Sequence, residues 1–438
     1  HRSTAPLATA SASLRLTAAS ATSSDNSAGL RRASSPAVPK RLGTSIGAVI
    51  NGTVDTGWEG VRAALGSALE IDAAGGALSI IHRGRTVVDL WGGSDPLSGR
   101  PWESDSVTLA FSTAKGVVAL LVAQEIEAGR LDPHAPVARY WPEFARNGKS
   151  DITVHQVLTH TAGIPALPPH TLSDLRSPIE LAERLAGEPP AYPPGSARID
   201  HVLSYGTVLA EVLRRITGHE VGTLVADRIA GPLGGSMWLG QPDDVEPRYR
   251  PALMGPVEEP PAPPADAGAA CQAAFRANTQ ATALFERADG RQGSEPMNEL
   301  IFRRGELAAG GLVADARSLA RMYAACVGDV DGVRLLDAET VARVSADHLG
   351  GISEPRCAPG AVPTTRWGLG FEISHLHCPM LGEGSFGHAG MGGRLAFAHA
   401  PSGTGFAFVS QRMTFAAPGA DERWTGILAA VRHAIAES

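Results

Sequence analysis

The sequence lacks the features of a membrane, nucleic-acid or redox protein. No apolar run approaches the roughly 18 residues that a membrane span needs, because Arg, Glu or Gly interrupts each candidate. No transmembrane segment is expected. Positive charge is not in excess either: 38 Lys and Arg stand against 45 Asp and Glu, for a net charge of -7. That balance argues against a nucleic-acid partner, since phosphate neutralisation wants a basic face. Cysteine is scarce and scattered, at Cys271, Cys326, Cys357 and Cys378, with no CxxC pair and no dense framework. Reduced thiols are therefore the default expectation, with a Cys357–Cys378 pair across a loop as the alternative. The run SHLHC puts His375, His377 and Cys378 close together, but a metal site needs more convergent ligands, and these read as strand and loop residues. No glycine-rich loop opens a helix after a strand, so neither metal nor cofactor is indicated.

What the chain does have is size and pattern. Its 438 residues, 43% hydrophobic and 19% charged, suffice for one or two large cores and an enzyme. Residues 1–45 are rich in Ala, Ser and Thr without periodicity and carry Arg31, Arg32, Lys40 and Arg41, which reads as a disordered leader. The chain starts at His1 instead of Met, so a trimmed leader is expected, and its apolar part is too polar for an export signal. On that basis the cytoplasm is favoured over secretion, with location otherwise open.

Beyond the leader, Trp58, Val61, Leu65 and Leu69 space an amphipathic helix, and ALSIIHRGRTVVDLWGG reads as a hairpin. RLAFAHAPSGTGFAFVSQRM repeats the hairpin signal, with Leu395, Phe397 and His399 alternating, and a last helix spans 422–436. The expected fold is α+β: an antiparallel sheet flanked by terminal helices, built from 46–110 and 331–438, with a mostly helical insertion over 111–330. A Pro-rich surface loop is expected near 240–300, around Pro256 to Ala270.

The chemistry centres on TLAFSTAKGVVALLVAQEI, residues 108–126. Apolar residues surround this helix on every side, yet Lys115 sits near its start, three residues after Ser112 and on the same face. The helix dipole and an apolar surrounding both push an amine pKa down. A neutral amine in reach of a serine hydroxyl is a general base, and the serine beside it is an activated nucleophile.

FSTAK, Phe111 to Lys115, resembles the nucleophile motif of the serine β-lactamase and penicillin-binding-protein superfamily, in its class C and family VIII carboxylesterase-like branch. ITVHQVLTHTAGIP (152–165), PPGS (193–196), AAGGLVADARSLARMY (308–323), WGLGF (367–371) and FGHAGMGG (386–393) are similar to later segments of that family, in order. The resemblance covers about residues 57–436 and implies a β-lactamase/transpeptidase-like fold. By the same resemblance Ser112 is the acylated nucleophile and Lys115 its base, and His388, Ala389 and Gly390 line the strand edging the site. The backbone amides of Ser112 and Met391 form the oxyanion hole.

The second motif departs from that pattern. In RIDHVLSYGTVLAEVLRRITG, from Arg198, the expected tyrosine is replaced by Asp200 or, shifted by one, His201. Tyr205 either approaches from the next helical turn or packs inside the helix. Asp200 is a candidate to hold the serine or lysine proton, and His201 and Tyr205 are candidate substrate contacts together with Ala389 and Gly390. The implied activity is hydrolysis of an ester, or of an amide or lactam, through acyl-Ser112. A transacylase passing the acyl group to a small amine or alcohol is one alternative, and a degenerate ligand-binding scaffold another. The expected partner is a small-molecule ester or amide; oligomeric state is not readable. His160 reads as a turn residue bonded to backbone, and Trp91, Trp102 and Trp367 as core or pocket lining.

Overall fold

Large and small side chains alternate along the strands at the two ends of the chain, and this alternation decides which helix covers which sheet face. The computed structural model describes residues 49–171, 173–255, 262–264, 266–285, 293, 295–357, 366–414 and 421–438. The expected leader over 1–45 and residues 256–261 and 265 of the Pro-rich segment lie outside them. The strands that matter here are β1 (Ile50–Val54), β2 (Gly76–His82), β3 (Arg85–Gly92), β4 (Thr108–Phe111), β5 (Glu372–Ile373), β6 (Ser385–Gly390), β7 (Arg394–His399) and β8 (Thr404–Ser410). The helices are α1 (Glu59–Asp72), α2 (Thr113–Glu127), α3 (Ser204–Thr217), α4 (Ala269–Thr282), α5 (Ala316–Val327) and α6 (Glu422–Glu437).

Seven strands form one antiparallel sheet in the order β1-β3-β2-β8-β7-β6-β5. Both hairpins read from the sequence are in it, side by side through β2 and β8. One face carries Leu78, Ile80, Leu395, Phe397, Phe406 and Phe408, and packs on Val61, Leu65 and Leu69 of α1 and Ile427, Leu428 and Val431 of α6. The opposite face is lined by Ala396, Ala398, Gly405 and Ala407, small enough for a helix to rest on the strands themselves. A Cβ added to Gly405 would stand 2.3 Å from the Ala320 carbonyl oxygen. Helix α5 occupies that face. The sequence reading placed it at the end of the helical insertion; in the structure it covers the sheet, because the Ala/Gly face leaves it room. Helix α2 lies beside it against β6, and the described residues from 49 onward belong to one compact unit. No helix among the described residues is long and apolar enough to cross a membrane.

Buried charge ties the terminal helices to the loop that follows β6. Arg423 of α6 reaches Asp72 of α1 at 2.7 Å, Asp421 at 2.6 Å and the Gly392 carbonyl at 2.8 Å. Arg394, also fully buried, donates to the carbonyls of Met391 at 3.3 Å and Gln411 at 3.1 Å. Two guanidiniums therefore pin residues 391–392 from behind.

Two expectations change. The 240–300 segment is not loop throughout, since it contains the 14-residue helix α4. The thiols are not all reduced: Cys271 in α4 bonds to Cys357, 86 residues away, and Cys378 stays free and buried, as does Cys326. The pairing escapes a spacing argument because α4 brings together two cysteines that no local motif connects. The bridge closes a long loop, so Cys357→Ser is expected to lower unfolding free energy by about 2–4 kcal/mol. Chemical denaturation in non-reducing buffer checks this, and a midpoint equal to that of the unsubstituted protein contradicts it.

Candidate active site

Ser112 sits where β4 turns into α2. Phe111, the residue before it, has φ +49°, a left-handed backbone rarely adopted by a bulky side chain. The turn is secured by Thr113, whose hydroxyl donates to the Ala110 carbonyl at 3.0 Å. Ser112 is the N-cap of α2, a position where a serine hydroxyl ordinarily accepts from the helix's own amides. Here it makes no such bond. Its Oγ stands instead 2.8 Å from Lys115 Nζ. Lys115 is 0% exposed, inside a helix buried on nearly every side. Burial lowers its pKa below the ordinary 10.5, and nearby Arg198 pushes the same way, while Asp200 and Glu372 pull back. A desolvated amine touching a serine hydroxyl is an activated nucleophile pair.

Asp200 precedes α3 and joins this pair. Its Oδ1 is buried without a hydrogen-bond partner, 3.4 Å from His160 Nδ1, while the side chain as a whole is 44% exposed. One oxygen is therefore enclosed, while the rest of the carboxylate keeps access to solvent. Burial raises its pKa, but Lys115, His160 and Arg198 outweigh that and hold it well below the usual carboxylate range. His160, at φ +60°, accepts from the His201 amide at 2.9 Å, stacks on Tyr205 and meets Trp367 edge-on. It is a backbone-bonded turn residue that also borders the site.

His201 and Tyr205 are not brought into the cleft. His201 Nδ1 donates to the Ile199 carbonyl at 2.7 Å and Nε2 accepts from the Ile164 amide at 3.2 Å, so both ring nitrogens are used. Burial takes its pKa down to about 4. Tyr205 is 0% exposed and its phenol donates to the Gly370 carbonyl at 3.0 Å. The chain enters α3 with both side chains turned into the core, and neither offers an atom to a substrate.

The other wall is β6. His388 is buried, donates from Nδ1 to the Ala389 carbonyl at 2.7 Å, and leaves Nε2 unpartnered. Burial first, and then Lys115, keep it a neutral imidazole. The Ala389 amide donates at 2.7 Å to Glu372, whose other oxygen meets His375 at 2.8 Å. Gly390 passes so near the Ser112 turn that a Cβ there would lie 2.3 Å from the Ala110 carbonyl. Only glycine permits that approach. Met391 and Ser112 border the same pocket, whose lining includes Val202, Leu203, Leu284, Phe285 and Phe302. Sequence reasoning missed Glu372 and the loop-pinning Arg394 and Arg423, whose partners are chiefly backbone groups or side chains remote in sequence. Arg198 was also missed; it stacks 4.3 Å over the Trp367 ring and pairs with Glu354 at 3.0 Å. Among the described residues no group of three His, Cys, Asp or Glu is placed to hold a metal ion.

Known proteins share this arrangement of elements. The β-lactamase family profile matches residues 52–431. The esterase/beta-lactamase LipL of Mycobacterium tuberculosis is 31% identical over 374 residues, 83% of each chain. Among solved structures, a penicillin-binding protein homolog from Caulobacter crescentus is 30% identical with a TM-score of 0.73, over 88% of this chain and 100% of its own. EstA from Arthrobacter nitroguajacolicus is 30% identical at TM-score 0.74, covering 88% and 98%. A family VIII carboxylesterase is 27% identical at TM-score 0.76, covering 88% and 100%. With a profile spanning most of its length and a β-lactamase/transpeptidase-like fold, this chain belongs to the β-lactamase family and is a serine hydrolase.

Proposed function

We propose that the protein is a carboxylesterase working through an acyl-Ser112 intermediate. The observation that carries this is the 2.8 Å contact of Ser112 Oγ with a fully buried amine. Lys115 takes the hydroxyl proton as Oγ attacks the ester carbonyl carbon. Negative charge gathers on the carbonyl oxygen, between the amides of Ser112 and Met391. The tetrahedral species collapses, its carbon–oxygen bond breaks, and the alcohol leaves with the proton from Lys115. Water then attacks the acyl carbon, gives up a proton within the Lys115–Asp200 pair, and releases the acid with Ser112 restored. Asp200 takes the place of the second-motif tyrosine, and His388 borders the cleft as a neutral ring. The names of LipL and of the carboxylesterase structures support an ester as substrate. A second reading is acyl transfer to a small alcohol or amine, favoured by the carboxylate standing where the family has a phenol; added acceptor then changes both rate and products.

A fluorophosphonate probe is expected to add one adduct to the intact protein and none to Ser112→Ala. An unlabelled parent protein contradicts the proposal and leaves a ligand-binding scaffold. The pH profile gives a second check. Acylation needs the neutral amine, so its rate falls as pH drops through the lowered pKa of Lys115. Asp200 stabilises the ammonium, so Asp200→Asn should move this acid limb to lower pH by about one unit. Burst kinetics measure it; an unmoved limb, or one at higher pH, contradicts the assignment.

A further inference from the structure

We infer that Asp200 makes the site selective for uncharged acyl donors and against those carrying a carboxylate beside the scissile bond, ring carboxylates of lactams included. The inference rests on the esterase reading above and concerns which substrates that site accepts.

Three observations converge on it. The first is the carboxylate itself, which lies within electrostatic reach of Lys115 and of the fixed guanidinium charge of Arg198, with one oxygen enclosed and the side chain as a whole 44% exposed. Val202 and Leu203, two and three residues further along, line the pocket at Ser112. An incoming anion thus meets a like charge close to the reacting serine, in a partly desolvated setting where repulsion is weakly screened.

The second is the absence of a counterweight. Among the described residues, the lining of the Ser112 pocket includes no charged side chain. The basic groups nearby are committed elsewhere. Lys115 is fully buried against Ser112. Arg198 is 5% exposed, paired with Glu354 and stacked on Trp367. Arg394 is 0% exposed, with its guanidinium turned to the carbonyls behind Met391. On β6 the buried His388 ring is uncharged, and Glu372 near it adds a further negative group.

The third is the pocket's composition. Leu284, Phe285, Phe302 and Met391 offer an acyl chain apolar surface and no hydrogen-bond donor from their side chains. An alkyl acyl group gains from leaving water there, whereas a carboxylate would lose its hydration without a new partner. Charge and polarity therefore act in the same direction, and only the charge part depends on Asp200.

The test uses two esters of matched shape, 4-nitrophenyl 4-methylpentanoate and 4-nitrophenyl hydrogen succinate, in which an isopropyl group replaces a carboxylate. The unsubstituted enzyme is expected to favour the neutral ester in kcat/KM by about a hundredfold, and Asp200→Asn to narrow that ratio by about tenfold whatever its absolute rate. Equal kcat/KM for both esters, or a ratio unchanged in Asp200→Asn, overturns the inference. A binding arm needs no turnover: phenylboronic acid and 4-carboxyphenylboronic acid, which add to the serine hydroxyl, are titrated against both proteins. The neutral boronate should bind tighter to the parent, with the gap reduced in Asp200→Asn. If Asp200→Asn does not fold, the parent's preference between the two boronates decides alone, equal affinities overturning the inference. Loss of ester hydrolysis in both proteins, with boronate discrimination intact, would sink the esterase reading and leave the charge selectivity standing.

Discussion

The site depends on burying one amine. Lys115 occupies a helix that offers it no route to water, and the group within reach is the Ser112 hydroxyl at 2.8 Å. A buried ammonium costs several kcal/mol even after local relaxation, so the fold itself favours the uncharged, proton-accepting form. The same contact explains why the N-cap serine does not cap. Its oxygen is engaged by the side chain one turn on, and α2 begins without that stabilisation, a local sacrifice of the kind expected where chemistry is done.

Holding the second wall against this pair takes the rest of the molecule. Gly390 brings β6 into backbone contact with the Ser112 turn, and the loop beyond it is fixed by Arg394 and Arg423. Arg423 is balanced by Asp72 near the start of the described chain and Asp421 near its end. The two terminal helices, packed together on the sheet's large-residue face, therefore set the position of the amide proposed for the oxyanion hole. This links a structural ion cluster on one side of the sheet with acyl chemistry on the other. At the opposite rim, the Cys271–Cys357 bridge joins α4 to the segment whose Glu354 and Ser353 hold Arg198.

Local periodicity made much of this legible. The α1 helix, both hairpins, the last helix and the Ser112–Lys115 pair could all be read because each is written within about twenty residues. Features that join distant segments were not. The disulfide links cysteines with no spacing signature, and α5 finds the sheet through an Ala/Gly face that looks unremarkable in one dimension. Arg394, and Arg423 in its contacts to Asp72 and the Gly392 carbonyl, find their partners only once the chain has folded. Asp200 was located by register against the family's second motif. His201 and Tyr205, within five residues of it, were candidate substrate contacts, with packing inside the helix as the other reading of Tyr205; the approach to α3 turns both inward to backbone partners. Register gives position along a chain; it does not give the direction of a side chain at a helix entrance.

The account is tested most directly by titrating Lys115 itself. Methyl-labelling of lysines under conditions that reach this amine, followed by carbon-13 NMR against a Lys115→Arg control, reports its pKa. The account predicts a resonance that titrates below the ordinary 10.5 of a lysine. A Lys115 resonance titrating at or above that value would show an amine that stays charged through neutral pH, and the proposed proton transfer from Ser112 would be lost.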